Sequence, residues 1–108
     1  MASGRLNNTA ILAAQSPPQT VYTVPTGIYT VANVSLTNRN TTSVKVRIAL
    51  SAGTTPSVQE YIEYDVVIPG NSTFERTGLV LNAALNIIVY SDTANVGCTV
   101  YGIETSTS

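Results

Sequence analysis

The segment Ser-Val-Lys-Val-Arg-Ile-Ala-Leu-Ser, residues 43–51, decides the fold class because apolar and polar side chains alternate along it. One parity is apolar, with Val44, Val46, Ile48 and Leu50, and the other carries Ser43, Lys45, Arg47 and Ser51. A period of two is that of a β-strand whose two faces lie in different environments. The segment therefore predicts a strand with one face in a core and the other in solvent.

The same alternation continues along the chain on both sides of this segment. Short runs bounded by turn residues occupy residues 20–24, 28–37, 60–68, 86–91 and 96–104, and residues 72–77 and 78–82 form either two strands or one strand bent at Gly78. No run has a helical period of useful length. Seven or eight short strands at regular spacing predict an all-β fold, an antiparallel two-sheet sandwich that is either immunoglobulin-like or jelly-roll-like. We assign this sandwich domain to residues 20–108.

Residues 1–19 have a different composition from the rest of the chain. A small polar stretch precedes the apolar run 10–14, and the sequence Ser-Pro-Pro at 16–18 predicts a stiff extended break. We expect an extended N-terminal arm over residues 1–19, with Leu6, Ile11 and Leu12 as contacts to a neighbouring protein. A frayed terminus is the alternative.

Charge argues against several classes of partner. Five basic and six acidic residues give a net charge of −1, and only 10% of the residues are charged. Nucleic acids and anionic membranes attract clustered Lys and Arg, so we expect neither as a partner. We also expect no membrane span and no secretion signal, and hence synthesis in a reducing cytoplasm.

The absence of histidine and the single cysteine, Cys98, argue against catalysis. General acid–base chemistry near neutral pH and transition-metal binding both depend on these residue types. We predict a protein that is not an enzyme and has no catalytic residue, metal site or cofactor. Cys98 follows the apolar parity of the last strand, which predicts a buried thiol that packs as a small hydrophobic side chain.

The acidic residues are concentrated in the run 60–68, where Glu63 and Asp65 share a parity opposite to that of Ile62, Tyr64, Val66 and Ile68. Carboxylates two residues apart on a strand lie nearly 7 Å from each other, or about two strand rises, which is a poor geometry for a metal ion. We expect both acids to pair across strands with Lys45 and Arg47 and so to help fix the strand register.

Tyrosine is the dominant aromatic residue, with six occurrences against one phenylalanine. Tyrosine is common in strands and at protein interfaces, and flat aromatic rings also form sugar-binding surfaces. Packing in the core or at its rim, a protein interface and a ligand platform therefore all remain open. We select Tyr29 and Tyr61 as candidate partner-binding residues because both lie on the parity opposite to the core.

Several segments taken in chain order resemble a known group of proteins. They are Val-Tyr-Thr-Val-Pro-Thr-Gly at 21–27, Val-Ser-Leu-Thr-Asn-Arg-Asn at 34–40, residues 44–51, Tyr-Ile-Glu-Tyr-Asp at 61–65, Phe-Glu-Arg-Thr-Gly at 74–78 and Val-Tyr-Gly-Ile-Glu at 100–104. Over residues 20–104 the chain resembles the small β-sandwich proteins of tailed-phage structural gene sets. Those proteins occur alone or appended to longer virion proteins.

The resemblance implies a component of the virion. The version we favour is a capsid decoration (cement) protein that self-associates as a homo-oligomer, with a trimer as one candidate, and docks on the major capsid protein through the arm. A tail, neck or fibre-associated module is an alternative. A carbohydrate-binding module that recognises a host surface glycan is another, while a hydrolase has little support in the sequence.

Overall fold

The computed structural model describes residues 3–107, which form eight β-strands joined by turns and loops. The strands are β1 (Ser3–Ile11), β2 (Gln19–Thr23), β3 (Ile28–Asn38), β4 (Val44–Ser51), β5 (Tyr61–Ile68), β6 (Thr73–Leu81), β7 (Asn86–Ser91) and β8 (Val96–Ser106). One turn of 3-10 helix, Val58–Glu60, precedes β5, and these described residues contain no α-helix. The predicted all-β class is confirmed.

The strands form two antiparallel sheets of four strands each. We call them sheet A, in the order β1-β8-β3-β6, and sheet B, in the order β2-β7-β4-β5. The pairs β1–β8, β2–β7, β3–β6 and β4–β5 are those of one long hairpin that has been rolled up. The pairs β3–β8 and β4–β7 complete the two sheets. Eight strands connected in this way are a jelly roll, which is one of the two sandwich types that the sequence predicts.

Strand β1 belongs to the jelly roll, so the predicted division at residue 19 differs from the structure. β1 pairs with β8 from Ser3 opposite Ile103 to Ile11 opposite Val96. Of the described part of the predicted arm, residues 3–19, only the connection over residues 12–18 lies outside a strand. The alternation in β1 is hard to see in the sequence because the register shifts between residues 5 and 7 and because small side chains occupy many of its positions.

The core lies between the two sheets and consists mainly of branched aliphatic side chains. Val34, Leu36 and Val100 of sheet A face Val46, Ile48 and Val89 of sheet B, and all six are fully buried. The Cys98 side chain is buried among them as predicted, and burial raises the pKa of its thiol to about 12. Asn38, a fully buried amide beside this core, donates to the backbone oxygens of Thr42 and Ile68, so its burial leaves no unsatisfied donor.

An irregularity in β5 changes which of its side chains face the core. Val66 pairs with Val46 and Glu63 pairs with Ile48, so three steps along β5 match two along β4. Asp65 takes a left-handed backbone conformation there, with φ 53°. The predicted alternation over residues 60–68 is therefore wrong at its centre, and the Tyr64 side chain lies on the solvent side of sheet B. A bulge shifts the parity of the residues beyond it. A second register shift follows, because Ile48 pairs with Glu63 while Ala49 pairs with Tyr61, so Tyr61 returns to the outer face of sheet B.

Candidate interaction surfaces

The outer face of sheet A carries three aliphatic side chains side by side, which we call the aliphatic row. The row consists of Val80 on β6, Val31 on β3 and Ile103 on β8, and Val31 is the register partner of both of the others. Their exposed fractions are 72%, 39% and 58%. Neighbouring residues of the alternating strands, such as Ala32, point into the core, so the row points to solvent.

The rest of this outer face carries mainly tyrosine and short polar side chains, and little charge. Tyr29 lies two residues before Val31 on the same side of β3 and is 40% exposed. Short side chains cover the other end of the face, namely Ser35, Thr37, Thr73 and Thr99. Glu75 accepts a hydrogen bond from the Tyr101 hydroxyl at 2.6 Å, and this bond raises the pKa of the tyrosine. The register also places Arg5 of β1 on this face, opposite Tyr101.

The outer face of sheet B carries a different group of side chains, the tyrosine–arginine cluster, made up of Arg47, Tyr61, Tyr64, Asp65 and Tyr90. The Arg47 guanidinium carbon lies 4.2 Å from the ring centre of Tyr64 and 4.8 Å from that of Tyr90. Tyr61 meets Tyr64 edge to face, with ring centres 5.3 Å apart. Contacts of both kinds are favourable because ring faces are electron-rich and ring edges are not.

Asp65 anchors this cluster through an ion pair of 2.7 Å with Arg47. The hydrogen bond between them raises the pKa of Arg47 and lowers that of Asp65. The predicted pairing of Arg47 with an acid of β5 is confirmed. Glu63 instead pairs with Arg76 of β6, because the bulge turns it toward the edge of sheet A. That second ion pair links the edge strands of the two sheets.

The predicted partner-binding residues do not form one surface. The Ile11 side chain is only 2% exposed and belongs to the core, and Leu6 packs against the core as well. Leu12, at the start of the β1–β2 connection, is 58% exposed. Tyr29 and Tyr61 lie on the outer faces of sheets A and B respectively, as shown by their register partners Thr105 and Ala49. Ile11 therefore cannot serve as an exposed docking residue in this conformation.

The aliphatic row is absent from the sequence-based candidates, although the sequence contains a signal for it. Val31 stands at a parity of β3 that otherwise holds Tyr29, Asn33, Ser35 and Thr37, all of them able to face water. Packing in the core does not account for an aliphatic residue at such a position. Only the register, however, brings Val80 and Ile103 beside it.

A further polar group consists of three hydrogen-bonded side chains, Tyr22, Thr30 and Glu104. The Tyr22 hydroxyl donates to Glu104 and lies 2.9 Å from the hydroxyl of Thr30. Burial and then the bond to Glu104 raise the pKa of Tyr22 to about 12. The Tyr22 phenol therefore stays protonated at neutral pH and keeps its hydrogen bonds to Glu104 and Thr30.

Within residues 3–107 we find no pocket and no group of three or more acidic or sulfur ligands placed to hold a metal ion. None of the described segments is a helix with the length and hydropathy required to cross a bilayer. No family model, no curated protein and no solved structure matches the chain.

Proposed function

We propose that this chain is a structural protein of a tailed-phage virion, in the first instance a capsid decoration protein, and that it works by binding other proteins rather than by catalysis. The observation that carries the proposal is the aliphatic row, with Val80 and Ile103 more than half exposed. Contiguous exposed apolar side chains are typical of sites at which proteins contact each other. The jelly roll supports the proposal by analogy, since viral capsid proteins use this architecture.

Two features assign roles to parts of the molecule within this proposal. The outer face of sheet A supplies the apolar contact surface for self-association. Leu12, exposed at the edge of the sandwich, supplies the contact to the major capsid protein in place of the whole arm. The low overall charge suits a protein that stays within an assembly, because electrostatic repulsion between closely spaced copies is small.

Binding to capsids tests this function. Capsids assembled from the major capsid protein of the same phage are mixed with the purified chain and sedimented, and the bound fraction is measured by gel densitometry. We expect saturable binding that Leu12→Glu weakens by at least about tenfold. Val58→Glu is the matched control, because Val58 is an exposed aliphatic residue in the 3-10 turn before β5, away from Leu12 in the chain. A chain that stays in the supernatant at every concentration contradicts the proposal.

A second candidate function, glycan recognition, is favoured by the tyrosine–arginine cluster. Tyr64 is 57% exposed, and its neighbours Tyr61 and Arg47 hold its ring in place. A fixed, exposed ring can stack on the apolar face of a sugar, and lectin domains also use the jelly roll. A glycan array tests this candidate: binding that Tyr64→Ala abolishes and Tyr29→Ala leaves intact supports it. Absence of binding at millimolar sugar removes it.

A further inference from the structure

We propose that the outer face of sheet A packs against the same face of a second copy of this chain, which gives a two-fold dimer. The inference deepens the assembly role proposed above and rests on it for its biological meaning. The geometry of the proposed dimer depends on sheet A alone. The aliphatic row is the starting point, because it places three apolar side chains abreast on a face where the strand alternation otherwise places polar ones.

The strand order defines which residues meet in such a dimer. A two-fold axis that runs parallel to the strands, between β8 and β3, lays the whole of one sheet over the whole of the other. β8 then lies over β3 of the second copy, and β1 lies over β6. Ile103 of each copy meets Val31 of the other, and Val80 covers the β1 backbone near Ser3, the register partner of Ile103. Each copy contributes the same surface, as two-fold symmetry requires.

The shape of the face allows this contact. Two β-sheets pack face to face at a separation of about 10 Å when short side chains let them approach. On the side of the row away from Tyr29, sheet A presents Ser35, Thr37 and Thr99, which are short, while Tyr101 lies along the surface toward Glu75 rather than projecting from it. A second sheet can therefore settle on this face without displacing a long side chain at its centre.

The available area is that of a modest dimer. The four strands of sheet A have nine to eleven residues each. At a strand spacing of about 4.8 Å and a rise of about 3.3 Å per residue, the face measures roughly 600 Å². A standard interface takes about 800 Å² from each partner. We therefore expect a dimer that depends on concentration and dissociates on dilution.

The charges on the face favour the same arrangement. Arg5 lies on β1 and Glu75 on β6, at opposite edges of sheet A. Because β1 of one copy lies over β6 of the other, each arginine faces the glutamate of its partner. The two residues are offset by two positions along the strands, or about 7 Å, which an arginine side chain can span. Two symmetric attractions of this kind also discriminate against other orientations of the second copy.

Solution mass tests the inference. The full chain at about 200 µM, a concentration chosen for a weak complex, is measured by light scattering and by sedimentation equilibrium, with circular dichroism as the check of folding. We expect twice the monomer mass of 11.4 kDa. Ile103→Glu should raise the dissociation constant at least about tenfold. Val67→Glu is the control, because it places the same charge at an exposed valine of sheet B and should leave the mass unchanged.

Charge reversal tests the orientation without changing the side chains of the aliphatic row. Arg5→Glu and Glu75→Lys should each weaken the dimer about threefold or more, and the double variant should restore it. A monomeric wild-type chain, a trimer, or a mass that Ile103→Glu does not lower overturns the dimer. Because capsid binding is measured separately, this failure leaves the decoration role standing. A confirmed dimer that no capsid binds overturns that role alone.

Discussion

Replacing Ile11 by alanine tests whether β1 is part of the fold or an arm that projects from it. The Ile11 side chain is 2% exposed and packs within the core between the two sheets. The change removes three carbon atoms from this site. At about 0.8 kcal/mol per buried methylene, the transfer term alone costs about 2.4 kcal/mol. The cavity left behind raises the expected loss to about 3 kcal/mol.

Urea unfolding followed by circular dichroism measures this loss. For a domain of this size, with a slope of about 1.5 kcal/mol per molar urea, a loss of 3 kcal/mol lowers the midpoint by about 2 M. Leu12→Ala is the matched control, because the adjacent side chain is 58% exposed and should cost less than about 0.5 kcal/mol. Equal and small effects of the two substitutions would refute the placement of β1 in the core.

Three further predictions concern other parts of the molecule. Tyr22 should ionise near pH 12 in the folded chain, as followed by ultraviolet absorption. Because its pKa is raised from 10.0, its contribution to the stability of the fold is complete below pH 10 and declines as the pH rises toward 12. Ionisation near pH 10 would contradict the burial of this side chain. Gly102→Ala should destabilise the fold by roughly 2 kcal/mol or more in the same urea assay, because a Cβ there would lie 2.0 Å from the Val31 carbonyl oxygen. Gly97→Ala on the same strand is the control and should be nearly neutral, because a Cβ there meets no atom within 4 Å. The Cys98 thiol should react with a disulfide reagent only after unfolding, and rapid labelling of the native chain would show that the core opens there.

The parts of the fold that the sequence predicts well are those with uninterrupted alternation. The alternation over residues 43–51 predicts one strand, and β4 occupies Val44–Ser51 with Val44, Val46 and Ile48 buried. The all-β class and the seven strands β2 to β8 follow from repeating that pattern, with residues 72–77 and 78–82 joined in the single strand β6. β1 was missed because its register shift breaks the alternation and because its only fully buried hydrophobic residue, Ile11, stands at its very end.

The candidate surfaces are harder to predict from the sequence than the strands are, because they depend on which strands are neighbours in the sheets. The bulge at Asp65 is invisible in a pattern of polar and apolar residues, yet it turns Tyr64 outward and brings its ring over Arg47. The aliphatic row joins residues 31, 80 and 103, which are far apart in the chain, and only the rolled pairing of the jelly roll makes them adjacent. The sequence does place Arg47 opposite an acid of the next strand, because that pair lies on consecutive strands.

The amount of this chain in purified virions tests the central claim most directly. Quantitative mass spectrometry of particles purified through two density gradients gives the ratio of this chain to the major capsid protein. The account predicts a fixed ratio that is reproducible between preparations and falls when particles are washed under conditions that dissociate weak protein contacts. Absence of the chain from purified particles, while it accumulates in the infected cell, would contradict it.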